Sequence, residues 1–224
     1  MRLGLIITAV TVYVVVLGCV IFPGETTGKT TSGADGRPFR AVSNGAPLTG
    51  LPYRGAAIQI QRTDWTDEYK RCIDEVAGIG FDTVLLVVDA RQENGSSSRI
   101  YLDMRMTPGR TQLLDLINHA RERKLRVILM PIVLLDLPRK GDEWRGTLTP
   151  IDWEGWLDSY RDMITHFAYI AQGEDPTGPP LVDILVVGSE LVSTQDKVSQ
   201  WTRTIGAVRK IYKGHLTYSS NWDN

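Results

Sequence analysis

The stretch Asp183-Ile184-Leu185-Val186-Val187-Gly188-Ser189-Glu190-Leu191 constrains this chain more than any other. Apolar or small residues run from Ile184 to Gly188 without alternation, the pattern of a strand covered on both faces, as in a parallel sheet. Glu190 stands at its C-terminal end. Ligands and catalytic groups of parallel α/β folds collect at the C-terminal ends of the strands, so Glu190 is a candidate site residue. The bland alternative is a solvated loop position or a cap on the next helix.

The rest of the chain repeats strand and helix patterns around that stretch. Gly55–Ile60, Thr83–Asp89 and Arg126–Ile132 read as three earlier strands, with Pro131 marking where the pairing of the third ends. Tyr69, Cys72, Ile73, Val76 and Ala77 form one apolar helix face, closed by Gly78 and Gly80. Leu113, Leu114, Ile117 and Ala120 form a second face, on a helix from Thr111 to about Lys124. Asp152 opens a third helix whose stripe of Trp153, Trp156, Leu157, Tyr160, Met163, Ile164 and Phe167 reads as core. A fourth helix, from about Gln195 to Tyr212, is expected to turn Val198, Trp201, Ile205 and Val208 inward. Leu216–Ser220 is a fifth strand. Two loops are long: Arg91–Gly109, and the segment carrying Trp144-Arg145-Gly146. Long loops in compact domains often carry function. Alternation of this kind implies βαβ units and a parallel sheet. The count is about four and a half units.

Composition excludes some partners. A net charge of −1 leaves no basic footprint, so no nucleic acid is expected. His119, His166 and His215 are scattered without metal-ligand spacing, and there is no phosphate loop or nucleophile elbow. No metal or cofactor is expected. Cys19 and Cys72 are not expected to pair. Leu3–Phe22 is an uncharged apolar run near bilayer-spanning length, preceded by Arg2 and ended by Pro23-Gly24. It reads as an uncleaved signal anchor, a cleaved signal or, through Val16-Leu17-Gly18-Cys19, a lipoprotein signal. Each would place residues 3–22 in or through a membrane and the remainder outside the cytoplasm. Residues 24–54, rich in Gly, Thr, Ser and Pro, read as a flexible linker. The domain organisation is then 1–23 signal, 24–54 linker and 55–224 globular.

Two motifs carry a family resemblance: Gly188-Ser189-Glu190-Leu191, and the succession Trp201, Arg209, Tyr212, Gly214, Leu216-Thr217-Tyr218-Ser219 and Asn221-Trp222-Asp223. Over Gly55–Asn224 the chain resembles the TIM-barrel glycoside hydrolases of family 113, a β-mannanase-type family in the clan of retaining (β/α)8 glycosidases. The resemblance implies an α/β fold, the N-terminal part of a (β/α)8 barrel, because residues 55–224 fall short of the about 250 of a full barrel. It implies that Glu190, at the end of the fourth strand, is the general acid/base, a role that favours a carboxyl with a raised pKa. Many members of the clan carry Asn before this Glu; Ser189 stands here.

The resemblance also places the nucleophile at the end of a seventh strand, beyond the fifth and last strand read here. Retaining hydrolysis uses two carboxyls roughly 5 Å apart. Asp89, Asp136 and Asp223 are the remaining candidates, and none is assigned. Asp89, Asn221, Trp222 and Asp223 are expected to line the sugar site; Trp144 is either a sugar platform or a packed loop anchor. The implied function is hydrolysis of a β-linked, mannan-like polysaccharide, with this chain inactive alone. The alternative is a non-catalytic carbohydrate-binding or interaction module on the same scaffold.

Overall fold

The computed structural model describes the backbone of Tyr13 and Val14, and residues 53–221. The strands are β1 (Tyr13–Val14), β2 (Arg54–Ile60), β3 (Thr83–Gln92), β4 (Arg126–Leu135), β5 (Ile184–Ser189) and β6 (His215–Ser219). The helices are α1 (Thr66–Gly78), α2 (Arg110–Glu122), α3 (Trp153–Gln172) and α4 (Val198–Ile211). The sheet order is β1-β2-β3-β4-β5-β6, and every neighbouring pair is parallel. From β2 to β5 each strand is followed by a helix, and each strand from β2 to β6 pairs in parallel with the strand before it, the winding of a (β/α) barrel.

Two apolar clusters divide the sheet faces. On one face Ile58, Val84, Leu86, Val88, Val127, Leu129, Leu185 and Val187 pack with Ile73, Leu113, Ile117, Trp156, Phe167 and Val208 of the four helices. On the other face Ile128, Ile184 and Val186 meet Tyr53, Leu85 and Met130, with no helical residue among them. All four helices therefore cover one face, which separates this sheet from a doubly wound one and fits a barrel wall. Each fully buried Ile, Leu or Phe contributes about 1.5–3 kcal/mol through removal from water.

The α3 stripe is core, as its spacing predicts: Trp156, Tyr160 and Phe167 are fully buried. Their polar tips find partners. Trp156 Nε1 donates to Gln92 Oε1 at 2.8 Å, and the Tyr160 hydroxyl to Val187 O at 2.8 Å. Asp152 caps α3 by accepting the Gly155 N–H at 3.0 Å.

Three expectations need correction. Pro131 does not end β4, which pairs with β3 as far as Gln92↔Leu135. Asp183 N–H donates to Val127 O, so the odd-numbered residues of β4 point toward β5. Pro131 therefore lacks its N–H on the β5 side only, where the ladder stops at Leu129↔Leu185. Arg91 is not the start of the loop but part of β3, and its backbone exchanges two 2.8 Å hydrogen bonds with Tyr101. On α4, Val198 is exposed; Trp201, Thr204 and Val208 face the sheet instead. The apolar run 3–22 is described only at β1, which is extended and pairs with Arg54 and Gly55. The rest of that run, Cys19 and the linker as far as residue 52 lie outside the described residues. Among the described residues no helix is long and apolar enough to cross a membrane.

The two long loops at the C-terminal ends of β3 and β4 are bonded to each other. Leu137 N–H donates to Glu93 O at 2.7 Å, Thr149 N–H to Gly95 O at 2.8 Å, and Ile151 N–H to Ser96 O at 3.0 Å. Asp152 N–H reaches Ser98 Oγ at 2.9 Å.

Candidate active site

Glu190 follows β5 directly and takes φ +53°, a left-handed conformation that a residue with a Cβ rarely adopts. Such a conformation costs on the order of 1–3 kcal/mol and persists only where the surroundings fix it. Here they do. Glu190 N–H donates to Ser219 O at 2.8 Å, and the next N–H, of Leu191, donates to the Tyr218 hydroxyl at 2.9 Å. The β5–β6 register also shifts between Val186 and Ser189, an irregularity of the kind that re-aims a side chain at a strand end.

The ring of Tyr218 lies edge-on to Trp201, with centroids 5.7 Å apart. Both rings rest on Gly188: a Cβ there would stand 2.6 Å from Tyr218 Cε2 and 2.8 Å from Trp201 Cη2. Trp201 is held in turn by Tyr160, edge-on at 5.6 Å, and by its Nε1, 3.1 Å from Thr194 Oγ1. Burial pushes the Tyr218 phenol above its ordinary pKa, and the negative charge of Glu190 adds to the rise, while the bond from Leu191 N–H opposes it.

The Glu190 carboxylate is one-quarter exposed and forms an ion pair with Arg145, from the loop after β4. Trp144 faces its own loop: a Cβ on Gly146 would lie 2.3 Å from the indole, and the Arg145 guanidinium sits 5.8 Å from the ring centroid. This arrangement favours the packed loop anchor for Trp144.

A second cluster lies at the ends of β3 and β4. Arg91 bridges Asp89, at 2.6 Å, and Asp136, at 3.0 Å. The Tyr101 hydroxyl donates to the other oxygen of Asp136, a bond that pushes the phenol up to about 12. Asp89 is buried at 1% exposure, and its Oδ1 has no hydrogen-bond partner among the described residues. Burial raises the Asp89 pKa, against the pull of Arg91. Asp89, expected to line a sugar site, is paired with Arg91 and buried among the described residues. Asp136, Arg91 and Tyr101 are the members of the cluster with exposed surface.

The ion-pair partner of Glu190 is Arg145, whereas Asp89 and Asp136 are paired with Arg91. Asn221 lies half-buried just past β6, and Trp222 and Asp223 lie outside the described residues. Arg145, Arg91, Tyr101 and Tyr218 are the site residues that sequence reasoning missed. The Asp89-x-Arg91 spacing, which puts both on one strand face, was the available signal for Arg91. No group of His, Cys, Asp or Glu among the described residues is arranged to hold a metal ion.

A singly wound parallel sheet with all its helices on one face defines a TIM-barrel-type chain, and Glu190 stands at the C-terminal face of its strands, where such folds carry their sites. Residues 57–224 match Glycoside Hydrolase Family 113, and the chain belongs to that family. Among solved structures it is similar to the family 113 β-mannanase AaManA from Alicyclobacillus acidocaldarius, in complex with ManMIm. The identity is 25% and the TM-score 0.67, over 77% of this chain and 56% of that one. It is also similar to a family 113 β-1,4-mannanase, with 25% identity and a TM-score of 0.62, over 73% of this chain and 53% of that one. The chain spans about half the length of these structures. No curated protein matches it.

Proposed function

We propose that this chain carries the acid/base half of a retaining glycoside-hydrolase site acting on β-1,4-linked mannan, with Glu190 as the general acid/base. The observation that carries the reading is Glu190 itself: a partly exposed carboxylate, fixed at the C-terminal end of β5, in a chain of family 113. Glu190 would protonate the glycosidic oxygen of the departing sugar and then take a proton from the attacking water. The names of the two similar structures, both mannanases, support mannan as the substrate class.

The second carboxylate of the retaining mechanism has no candidate beside Glu190 among the described residues, since Asp89 and Asp136 are engaged by Arg91. The 224-residue polypeptide by itself is therefore expected to bind mannan oligosaccharides without hydrolysing them. The engagement of Asp89 and Asp136 equally favours the second reading, a carbohydrate-binding module that does not catalyse. The two readings part on one experiment. In any longer form of the protein that hydrolyses mannan, Glu190→Gln should lower kcat at least about a hundredfold on substrates with poor leaving groups, and less on aryl glycosides whose leaving group needs little protonation. Equal loss on both would remove the acid role. Hydrolysis by the 224-residue chain that depends on Glu190 would show that a nearby aspartate supplies the second carboxylate. Residues 3–22 are proposed to hold the protein at a membrane, with the rest outside the cytoplasm; a soluble, N-terminally trimmed product on fractionation would refute the anchor.

A further inference from the structure

Several features of the Glu190 corner converge on one side chain. Glu190 is held in a left-handed conformation that its Cβ disfavours. The N–H groups on either side of the Glu190–Leu191 turn are both taken by β6, one by Ser219 O and the other by the Tyr218 hydroxyl. The second bond is the unusual one, because a side chain completes what the strand ladder no longer reaches. The phenol is not free to drift: its ring is packed against Trp201 and seated over Gly188, which has no Cβ to push it away. Its oxygen accepts from Leu191 N–H, and the charge of Glu190 acts on the same phenol.

We propose that Tyr218 is the positioning residue for Glu190: its hydroxyl fixes the Leu191 amide, and through that bond it holds the left-handed turn that aims the Glu190 carboxylate at Arg145. The name acid/base for Glu190 rests on the function proposed above; the positioning role does not, since it concerns where the carboxylate stands. Without the hydroxyl, Leu191 N–H loses its acceptor and the turn is free to relax into a conformation better suited to a residue with a side chain. The carboxylate then leaves Arg145.

The test uses the full chain and no substrate, so it can fail without touching the hydrolase reading, and the converse also holds. Tyr218→Phe removes one oxygen and keeps the ring. Amide exchange at Leu191 should accelerate on the order of tenfold or more, the loss expected when a hydrogen bond worth about one unit of log K is removed. The side-chain N–H resonance of Arg145, assigned with Arg145→Lys, should move to the position it takes in Glu190→Gln, because in both variants the carboxylate no longer meets the guanidinium. Amides of β3 and β4 should keep their protection. Faster exchange at Leu191 with an unmoved Arg145 resonance would overturn the proposal, leaving the hydroxyl a local strut. Unchanged exchange at Leu191 would overturn it too. So would loss of protection across β3 and β4, because the hydroxyl would then serve the whole fold rather than Glu190.

Discussion

Replacing Gly188 with alanine should unseat the Glu190 corner by crowding alone. The new Cβ would fall 2.6 Å and 3.0 Å from Tyr218 Cε2 and Cδ2, and 2.8 Å from Trp201 Cη2, all inside the distance at which carbon atoms repel. Neither ring can step aside without loss. Tilting Tyr218 lengthens its 2.9 Å bond from Leu191 N–H, and shifting Trp201 lengthens its 3.1 Å contact with Thr194 and presses on Tyr160. Overpacking of this kind costs about 1–3 kcal/mol. Taking about 2 kcal/mol, and 2–4 °C per kcal/mol for a chain of this size, the Tm should fall by roughly 4–8 °C. Gly206→Ala is the control, since on α4 its Cβ meets nothing within 4 Å. That substitution should raise stability by about 1 kcal/mol through helix propensity. Calorimetry of the two variants beside the parent measures both. If Gly188→Ala melts within a degree of the parent while Leu191 stays protected from exchange, the rings have room to yield, and the crowding argument is wrong.

Two further outcomes follow from the charged clusters. Burial pushes the Asp82 carboxyl up, but bonds from the Thr83 hydroxyl, the Arg54 N–H and the Arg126 and Arg54 guanidinium groups outweigh it and hold the pKa below the usual range. A lowered folded pKa means that the stabilisation is present above the unfolded value, near 4, and is lost as pH falls through the folded value. Asp82→Asn should cost about 1.5–3 kcal/mol at neutral pH by removing the charged bonds to Arg126 and Arg54, and should flatten the loss of stability in acid; urea midpoints at pH 7 and pH 3 read both, and an unchanged acid slope would refute the assignment. Asp136→Ala should bring the Tyr101 phenol down from about 12 toward the ordinary value near 10, seen as one tyrosine ionising earlier in an alkaline absorbance titration; no change would mean that the Asp136 bond does not govern it.

The barrel-type winding was legible because buried parallel strands must be apolar on both faces, and Val84–Val88, Val127–Met130 and Ile184–Val187 are. The α3 stripe was legible for the matching reason: a long helix laid on a sheet needs one wide apolar face. The phase of α4 was not, because Thr204 is buried while Val198 is exposed, and apolar periodicity passes over a buried threonine. Glu190 could be chosen as a site residue from its place after a strand, but Arg145, 45 residues earlier, could not be foreseen as its partner. Nor could the bond between Asp136 and Arg91, which are likewise 45 residues apart. The positive φ of Glu190 had no sequence signal, since glutamate is not a residue that marks such turns.

The bonding between the loops after β3 and β4 has a consequence for redesign. Glu93, Gly95, Ser96 and Ser98 in one loop hold Leu137, Thr149, Ile151 and Asp152 in the other, and Asp152 also caps α3. Exchanging one loop for that of a relative would strand the partners of the other and loosen the start of α3. The two loops form a single exchangeable cassette: swapped together they carry their mutual bonds with them, and lengthening either one calls for a matched change in the other.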